Sequence, residues 1–156
     1  MDRFKLKDKV DNPKPNEERA IIDRMTGAAL PDIQPVVSPQ QILHARDMVR
    51  RVYVDDKIKN YVLDLVLATR DPGNNGLSEL RPFIAFGASP RAGIYLVQAS
   101  RAHAFIKGRG FVTPDDVKAV AADVLRHRVI VSYEAEAENV TSANIVQRIL
   151  DYAEVP

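Results

Sequence analysis

Apolar residues recur with the spacing of α-helices over most of the chain. The clearest run is Ile58, Tyr61, Val62, Leu65 and Val66, whose gaps follow the i, i+3, i+4, i+7, i+8 pattern. That spacing places all five side chains on one face of a helix. The run therefore predicts an amphipathic helix that ends near residue 70, where a segment rich in glycine, proline and asparagine follows.

Further helices are predicted by one shared start signal, a hydroxyl residue followed by proline. The signal occurs at Ser38-Pro39, Ser89-Pro90 and Thr113-Pro114. The hydroxyl caps a backbone N–H group at the helix start, and proline suits the first helical position because it has no N–H to leave unpaired. Gln41 completes a capping box in the first of these helices, and a last helix is predicted from Thr141.

Each predicted helix has one apolar face, and such faces are stable only when they pack against one another. We therefore predict an antiparallel-rich helical bundle from about residue 38 to residue 153, which makes the fold class mainly α. Besides the run above, the side chains expected to be buried are those of Ile42, Ala45, Val49, Ala92, Tyr95, Leu96, Ala99, Ala102, Ile106, Val117, Val120, Ala121, Val124, Leu125, Ile145, Val146, Ile149 and Leu150.

The N-terminal segment follows a different pattern. Phe4, Leu6 and Val10 lie on even positions among lysines, which is the period of a strand with one wet face. After two prolines, Asn16 followed by two glutamates predicts a helix through about Met25. Further prolines make the stretch that follows an extended linker.

A single strand needs partners that a helical bundle does not offer. We therefore expect residues 1–37 to be a loose remnant of a neighbouring domain that includes the linker, and residues 38–156 to form the helical domain. The chain is accordingly expected to be part of a longer protein.

Composition narrows the classes of function. The chain has no cysteine, which excludes disulfides and cysteine-ligated metal sites, and its 22 Lys+Arg and 21 Asp+Glu give a net charge of only +1. A balance of this kind does not favour broad electrostatic capture of nucleic acid. The sequence also lacks an export signal and any apolar run of about eighteen residues. We expect a cytoplasmic protein with no membrane partner.

The three histidines do not predict a metal site. His44, His103 and His127 fall on different predicted helices or helix ends, without the close pairing that recurs in zinc sites. We therefore interpret the three histidines as ordinary surface or core residues and not as metal ligands, and we expect no metal.

One short segment carries candidate chemistry, an apolar stretch that leads into Gly87-Ala88-Ser89-Pro90-Arg91-Ala92. Arg91 occupies the second position of a predicted helix, where the positive end of the helix dipole disfavours a cation unless an anion lies nearby. A phosphate would supply that anion, bound by the guanidinium and by backbone N–H groups, with Gly87 leaving room for close approach. The alternative is a solvated arginine on an ordinary capped helix.

The same segment resembles the sensor 2 signature of the MoxR family of AAA+ ATPases. The resemblance covers nearly the whole chain and includes Val54-Asp55-Asp56, Ala68-Thr69-Arg70, Val112-Thr113-Pro114-Asp115-Asp116-Val117, His127-Arg128 with Ser132-Tyr133-Glu134-Ala135, and Asp2-Arg3-Phe4 at the front. It implies the C-terminal helical lid of such an ATPase, preceded by the last strand of the α/β core.

The resemblance also implies roles for individual residues. Arg91 matches the sensor 2 arginine, which contacts the γ-phosphate of ATP, with Ser89 and Pro90 on the lid side of the nucleotide. Arg3 matches the position of an arginine finger, which reaches the nucleotide of the next subunit. The chain contains no Gly-x-x-x-x-Gly-Lys-Ser/Thr phosphate loop and no strand ending in a pair of acids. ATP and magnesium are therefore expected in the full-length protein, whereas the fragment alone should neither bind nor hydrolyse ATP.

The partners implied by the resemblance are the chain's own AAA+ core and neighbouring subunits of a ring, usually a hexamer. The family is thought to remodel or mature protein complexes as a chaperone-like machine, often with von Willebrand A domain proteins as targets. A first alternative is a free-standing helical module that binds a protein through an exposed apolar face.

A second alternative is nucleic-acid binding. Lys107, Arg109, Arg126 and Arg128 offer a basic patch, and the helices after Ser89 or Thr113 would have to serve as recognition helices. Charged helix ends commonly look like this, and acids at the start of the second helix would repel a phosphate backbone. We rank this alternative last and expect no nucleic-acid partner.

Overall fold

Each hydroxyl–proline pair starts a helix in the computed structural model, which describes residues 4–27 and 32–156. Ser38 caps α2 and forms the predicted capping box with Gln41, Ser89 caps α4, and Thr113 caps α5. The helix predicted from the apolar run and the one predicted from Thr141 are also present. The mainly α fold class is therefore confirmed.

The described residues contain seven α-helices and two short strands. Their bounds are α1 (Pro15–Met25), α2 (Pro39–Arg51), α3 (Asp56–Arg70), β1 (Ile84–Phe86), α4 (Pro90–Ile106), α5 (Pro114–Leu125), β2 (Ile130–Val131), α6 (Tyr133–Ala137) and α7 (Ser142–Tyr152). Two 3₁₀ helices, Gly73–Asn75 and Ser78–Phe83, connect α3 to β1.

The core of the bundle is formed where α3, α4, α5 and α7 pack together. All five apolar residues of the run in α3 are buried, as predicted. So are the four predicted residues of α7 and most of those of α5. The periodicity therefore identified the inward faces of these helices correctly.

A small antiparallel sheet lies beside the bundle. Ile84 pairs with Val131 and Phe86 with Ile130, so β1 and β2 join the segment before α4 to the segment after α5. Neither strand was predicted, because two or three residues are too few to show an alternating pattern.

The buried face predicted for α2 is wrong. Ile42 is 58% exposed, Ala45 and Val49 are only half-buried, and no residue of α2 is fully buried. The apolar spacing is present, but α2 contacts only α4 to any extent in the described residues, and this contact leaves its apolar face partly exposed. On α4, the burial predicted for Ile106 is also wrong, since this last residue of the helix is 78% exposed.

The strand predicted over residues 4–10 is wrong. These residues form no strand, since no described segment pairs with them. They are nevertheless not detached, because the backbone N–H of Lys7 donates a hydrogen bond to the carbonyl oxygen of Asp123 at 2.8 Å. The helix predicted through Met25 is present as α1, and none of its residues is buried.

The boundary between residues 1–37 and 38–156 stays a prediction. Residues 28–31, in the predicted linker, lie outside the described residues, as does Arg3.

Candidate functional site

The segment before α4 lies directly against the last turn of α3. A Cβ atom added to Gly87 would lie 2.3 Å from the carbonyl oxygen of Thr69 and 2.8 Å from the Cα of Arg70. No side chain fits at that distance, so Gly87 is required for the approach of two backbones. This differs from the sequence-based interpretation, in which Gly87 left room for a phosphate.

Two side chains of α3 then hold the backbone of Ala88. The buried hydroxyl of Thr69 accepts a hydrogen bond from the N–H of Ala88 at 2.9 Å and donates its own hydrogen to the carbonyl oxygen of Val66 at 2.7 Å. Arg70 Nε donates to the carbonyl oxygen of Ala88 at 2.6 Å. Both polar backbone groups of a buried residue are thereby satisfied, which fixes the position of the helix start.

The start of α4 has the predicted cap. Ser89 Oγ accepts a hydrogen bond from the N–H of Arg91 at 3.3 Å, and its carbonyl oxygen accepts one from the N–H of Ala92 at 2.9 Å. Pro90 has no N–H. Since these backbone groups are accounted for within the cap, an anion at this point would be contacted chiefly by the guanidinium of Arg91.

Arg91 is exposed at the second position of α4, whereas Ala92, the next residue, is completely buried. A buried residue and an exposed arginine are thus adjacent in the chain. Ser89, Pro90 and Arg91 are consecutive residues at the start of α4, and their role in nucleotide binding stays a prediction. The arrangement suits electrostatic contact with an anion presented from outside the domain.

A second ionic cluster connects α4 to α5. Asp116 is completely buried and accepts hydrogen bonds from Arg109 Nη1 at 2.7 Å, Arg109 Nη2 at 2.5 Å, the N–H of Thr113 at 2.8 Å and the hydroxyl of Thr113 at 3.0 Å. His103 Nδ1 lies 2.6 Å from the same carboxylate. Burial alone would raise the pKa of Asp116, but these hydrogen bonds outweigh it and hold that pKa far below its usual range.

Sequence reasoning missed this cluster. The available signal was an aspartate three residues after a capping threonine, the spacing of a capping box. The fully satisfied carboxylate joins the end of α4 to the start of α5, so the cluster has a structural role.

Most residues of the basic patch considered above bind acceptors within the domain. Arg109 binds Asp116, and Arg126 donates to the carbonyl oxygen of Ala122 at 3.0 Å and to the carboxylate of Asp123. Arg128 is only 5% exposed. Three of the four proposed patch residues therefore bind acceptors of the chain itself, which leaves little for a phosphate backbone.

Arg128 and His127 instead contact the N-terminal segment. Arg128 donates to the carbonyl oxygens of Phe4 and Lys5, and His127 Nε2 lies 3.1 Å from the carbonyl oxygen of Phe4. Arg3, the predicted arginine finger, comes directly before this anchored segment in the sequence and lies outside the described residues.

Residues that commonly bind metals do not cluster in the part of the chain that the structure describes. His44 is exposed on α2, His103 contacts Asp116, and His127 contacts the N-terminal segment. Within the same described residues, no helix is both long enough and apolar enough to cross a membrane.

Residues 78–149 match the AAA lid domain family. The chain is 37% identical over 155 residues to "Chaperone MoxR1" of Mycobacterium tuberculosis, covering 99% of this chain and 41% of that protein. It is 32% identical over 157 residues to "Protein MoxR" of Paracoccus denitrificans, covering 92% of this chain and 46% of that protein. The chain thus spans less than half the length of these relatives.

A solved structure has the same fold. A crystal structure of a proposed ATPase from Cytophaga hutchinsonii superimposes with a TM-score of 0.94 at 34% sequence identity, over 99% of this chain and 47% of that one. The match extends over the described N-terminal residues as well as the helical bundle.

Proposed function

Because the chain carries the C-terminal AAA lid domain of a MoxR-type AAA+ ATPase, we propose that it senses ATP bound to an α/β core and couples hydrolysis to movement of the lid. The observation that carries the proposal is the start of α4, where an exposed Arg91 follows a backbone segment held rigidly against α3. Because the backbone is already fixed, only the side chain of Arg91 has to be ordered when it meets a phosphate.

ATP would be bound chiefly by the core, and this chain would contribute contacts from the lid side. The residues present fit that division, since the chain has no phosphate loop and places the exposed side chain of Arg91 beside Ser89 and Pro90. With magnesium on the core side, the nucleotide supplies a transferable γ-phosphoryl group. Arg91 would stabilise the negative charge that develops on that group during hydrolysis.

The proposed assembly is a ring, with a hexamer as the expected form, in which the core and lid of one subunit adjoin the next. Arg3 would act as an arginine finger at the nucleotide of the neighbouring subunit. We further propose that residues 1–37 belong to the edge of the core and residues 38–156 to the lid. A chaperone-like machine of this kind would act in the cytoplasm on protein complexes, with von Willebrand A domain proteins as candidate targets.

One observation favours the alternative of a protein-interaction module. A groove of about 660 Å³ runs between α3 and α4, with Val62, Leu63, Val66 and Ile94 among its lining residues. The residues encoded upstream of this chain discriminate between the two functions. A phosphate loop within roughly one or two domain lengths supports the ATPase lid, and its absence supports the module.

The proposal is tested by the steady-state ATP turnover of the full-length parent carrying Arg91→Ala. The matched control is Arg148→Ala, which removes another exposed arginine, on α7. Turnover should fall only in the first variant. Equal turnover in both variants would reject the sensor role.

A further inference from the structure

The guanidinium of Arg128 is buried, and backbone carbonyl groups from two distant parts of the chain surround it. From the turn after α5, it donates hydrogen bonds to the carbonyl oxygen of Val124 in α5 and to those of Phe4 and Lys5 in the N-terminal segment, the last at 3.3 Å. A planar guanidinium with several donors can bridge such acceptors, which a single ammonium group cannot do equally well.

The same guanidinium also contacts α4. It lies 5.0 Å from the centre of the Tyr95 ring, and Lys5 Nζ lies 5.8 Å from the same ring. These distances are within the range of cation–π attraction. Tyr95 is four residues after Arg91, one turn further along α4. Arg128 therefore contacts both α4, which carries Arg91 in its first turn, and the segment that follows Arg3.

Polar backbone contacts, not apolar burial, hold this segment. Phe4 is 70% exposed. The anchoring instead comes from carbonyl groups bound by Arg128 and His127 and from the hydrogen bond of the Lys7 N–H to Asp123. Directional bonds of this kind fix where the backbone lies, because they weaken steeply when donor and acceptor are misaligned.

We infer that Arg128 is a positioning residue that connects the helix of Arg91 to the backbone carrying Arg3. This inference rests on the proposed function. Phe4 and Lys5, whose carbonyl oxygens Arg128 binds, directly follow Arg3 in the sequence. A movement of α4 in response to nucleotide is then transmitted through Tyr95 and Arg128 to the arginine finger, which acts on the neighbouring subunit.

The first test needs only this chain and no nucleotide. Hydrogen exchange of the Lys7 amide is measured in Arg128→Gln and in Arg126→Gln, a control whose arginine bonds only within its own helix. We expect exchange to be roughly tenfold faster in Arg128→Gln, equivalent to about 1.4 kcal/mol, and unchanged in the control. Unchanged exchange in both variants would overturn the inference.

The second test uses the full-length parent and asks which nucleotide site Arg128 serves. Arg128→Gln alone should lower ATP turnover. Mixing it in equal amounts with Arg91→Ala subunits should restore turnover to roughly a quarter of wild type. In a head-to-tail ring, about a quarter of the sites then combine an intact Arg91 with a neighbouring subunit whose Arg128 is intact. Mixing it with Arg3→Ala subunits should restore nothing, since every subunit would then lack a working finger.

Other outcomes contradict specific claims. Without recovery in the first mixture, Arg128 would act on the site of its own subunit, and the inference would be wrong. If Arg91→Ala alone retained full turnover, the proposed function would fail, while the exchange experiment would still report on the anchoring. Should Arg128→Gln not fold, Arg128→Lys replaces it, and we expect Lys7 exchange to be faster than in wild type because a compact ammonium group cannot bridge the same carbonyl oxygens.

Discussion

The hydroxyl of Thr69 accepts a hydrogen bond from the backbone N–H of Ala88 at 2.9 Å, inside the core and nineteen residues away in the sequence. This bond joins the end of α3 to the start of α4. Through this bond the two motifs that contain these residues, Ala68-Thr69-Arg70 and Gly87-Ala88-Ser89, contact each other directly in the fold. The first holds the backbone from which the second presents Arg91.

Replacing Thr69 by valine should destabilise the domain by about 1 to 3 kcal/mol, because the N–H of Ala88 would be left buried without an acceptor. Thr26→Val is the control, since Thr26 makes a similar hydroxyl bond to Ile22 on an exposed surface. Urea unfolding measures both. A Thr69→Val variant as stable as the Thr26→Val variant would show that this bond does not hold the start of α4.

Gly87→Ala should cost roughly 1 to 3 kcal/mol, because the added methyl group would overlap the carbonyl of Thr69 and the backbones would have to move apart. At Gly110 an added Cβ meets nothing within 4 Å, so Gly110→Ala should change stability by less than about 0.5 kcal/mol. Thermal unfolding compares the two variants. Equal melting temperatures would mean that the close approach is not needed.

Asp116 should make stability depend on pH in the acidic range. Its pKa is lower in the folded state than the 3.8 of an unperturbed side chain. The unfolded state therefore binds more protons below about pH 4, and the stabilisation is lost as the pH falls further through the folded-state pKa. Asp116→Asn should flatten the pH dependence of the urea midpoint between about pH 2 and 5, whereas Asp115→Asn, at an exposed neighbour, should retain it. Identical slopes would contradict the assignment.

The chain alone should not bind ATP tightly, because it contributes only lid-side contacts. Titration followed by amide chemical shifts should show no saturable binding below about 1 mM, equivalent to about 4 kcal/mol. Saturation at lower concentration, with shifts centred on Ser89 and Arg91, would mean that this chain holds more of the nucleotide site than proposed.

The helix starts could be predicted from the sequence because their determinants are local. Ser38, Ser89 and Thr113 each cap the helix that follows them within three residues, so no distant contact is needed to find the boundary. The buried faces of α3 and α7 were also found, because their apolar spacing agrees with what packs against them.

The errors concern features that depend on distant partners. Ile42 has the spacing of a buried residue, but the contact of α2 with α4 leaves it 58% exposed. The roles of Thr69 and Gly87 come from one contact across two elements. Arg128 was considered part of a basic patch, and its burial became visible only with the N-terminal carbonyls beside it.

The account's central claim is that Arg91 senses ATP, and the most direct measurement is ATP turnover by the full-length parent with Arg91→Ala. We predict a loss on the order of a hundredfold, the usual effect of removing one donor to a developing charge, with thermal stability unchanged. Turnover equal to wild type in a folded, assembled variant would contradict the claim.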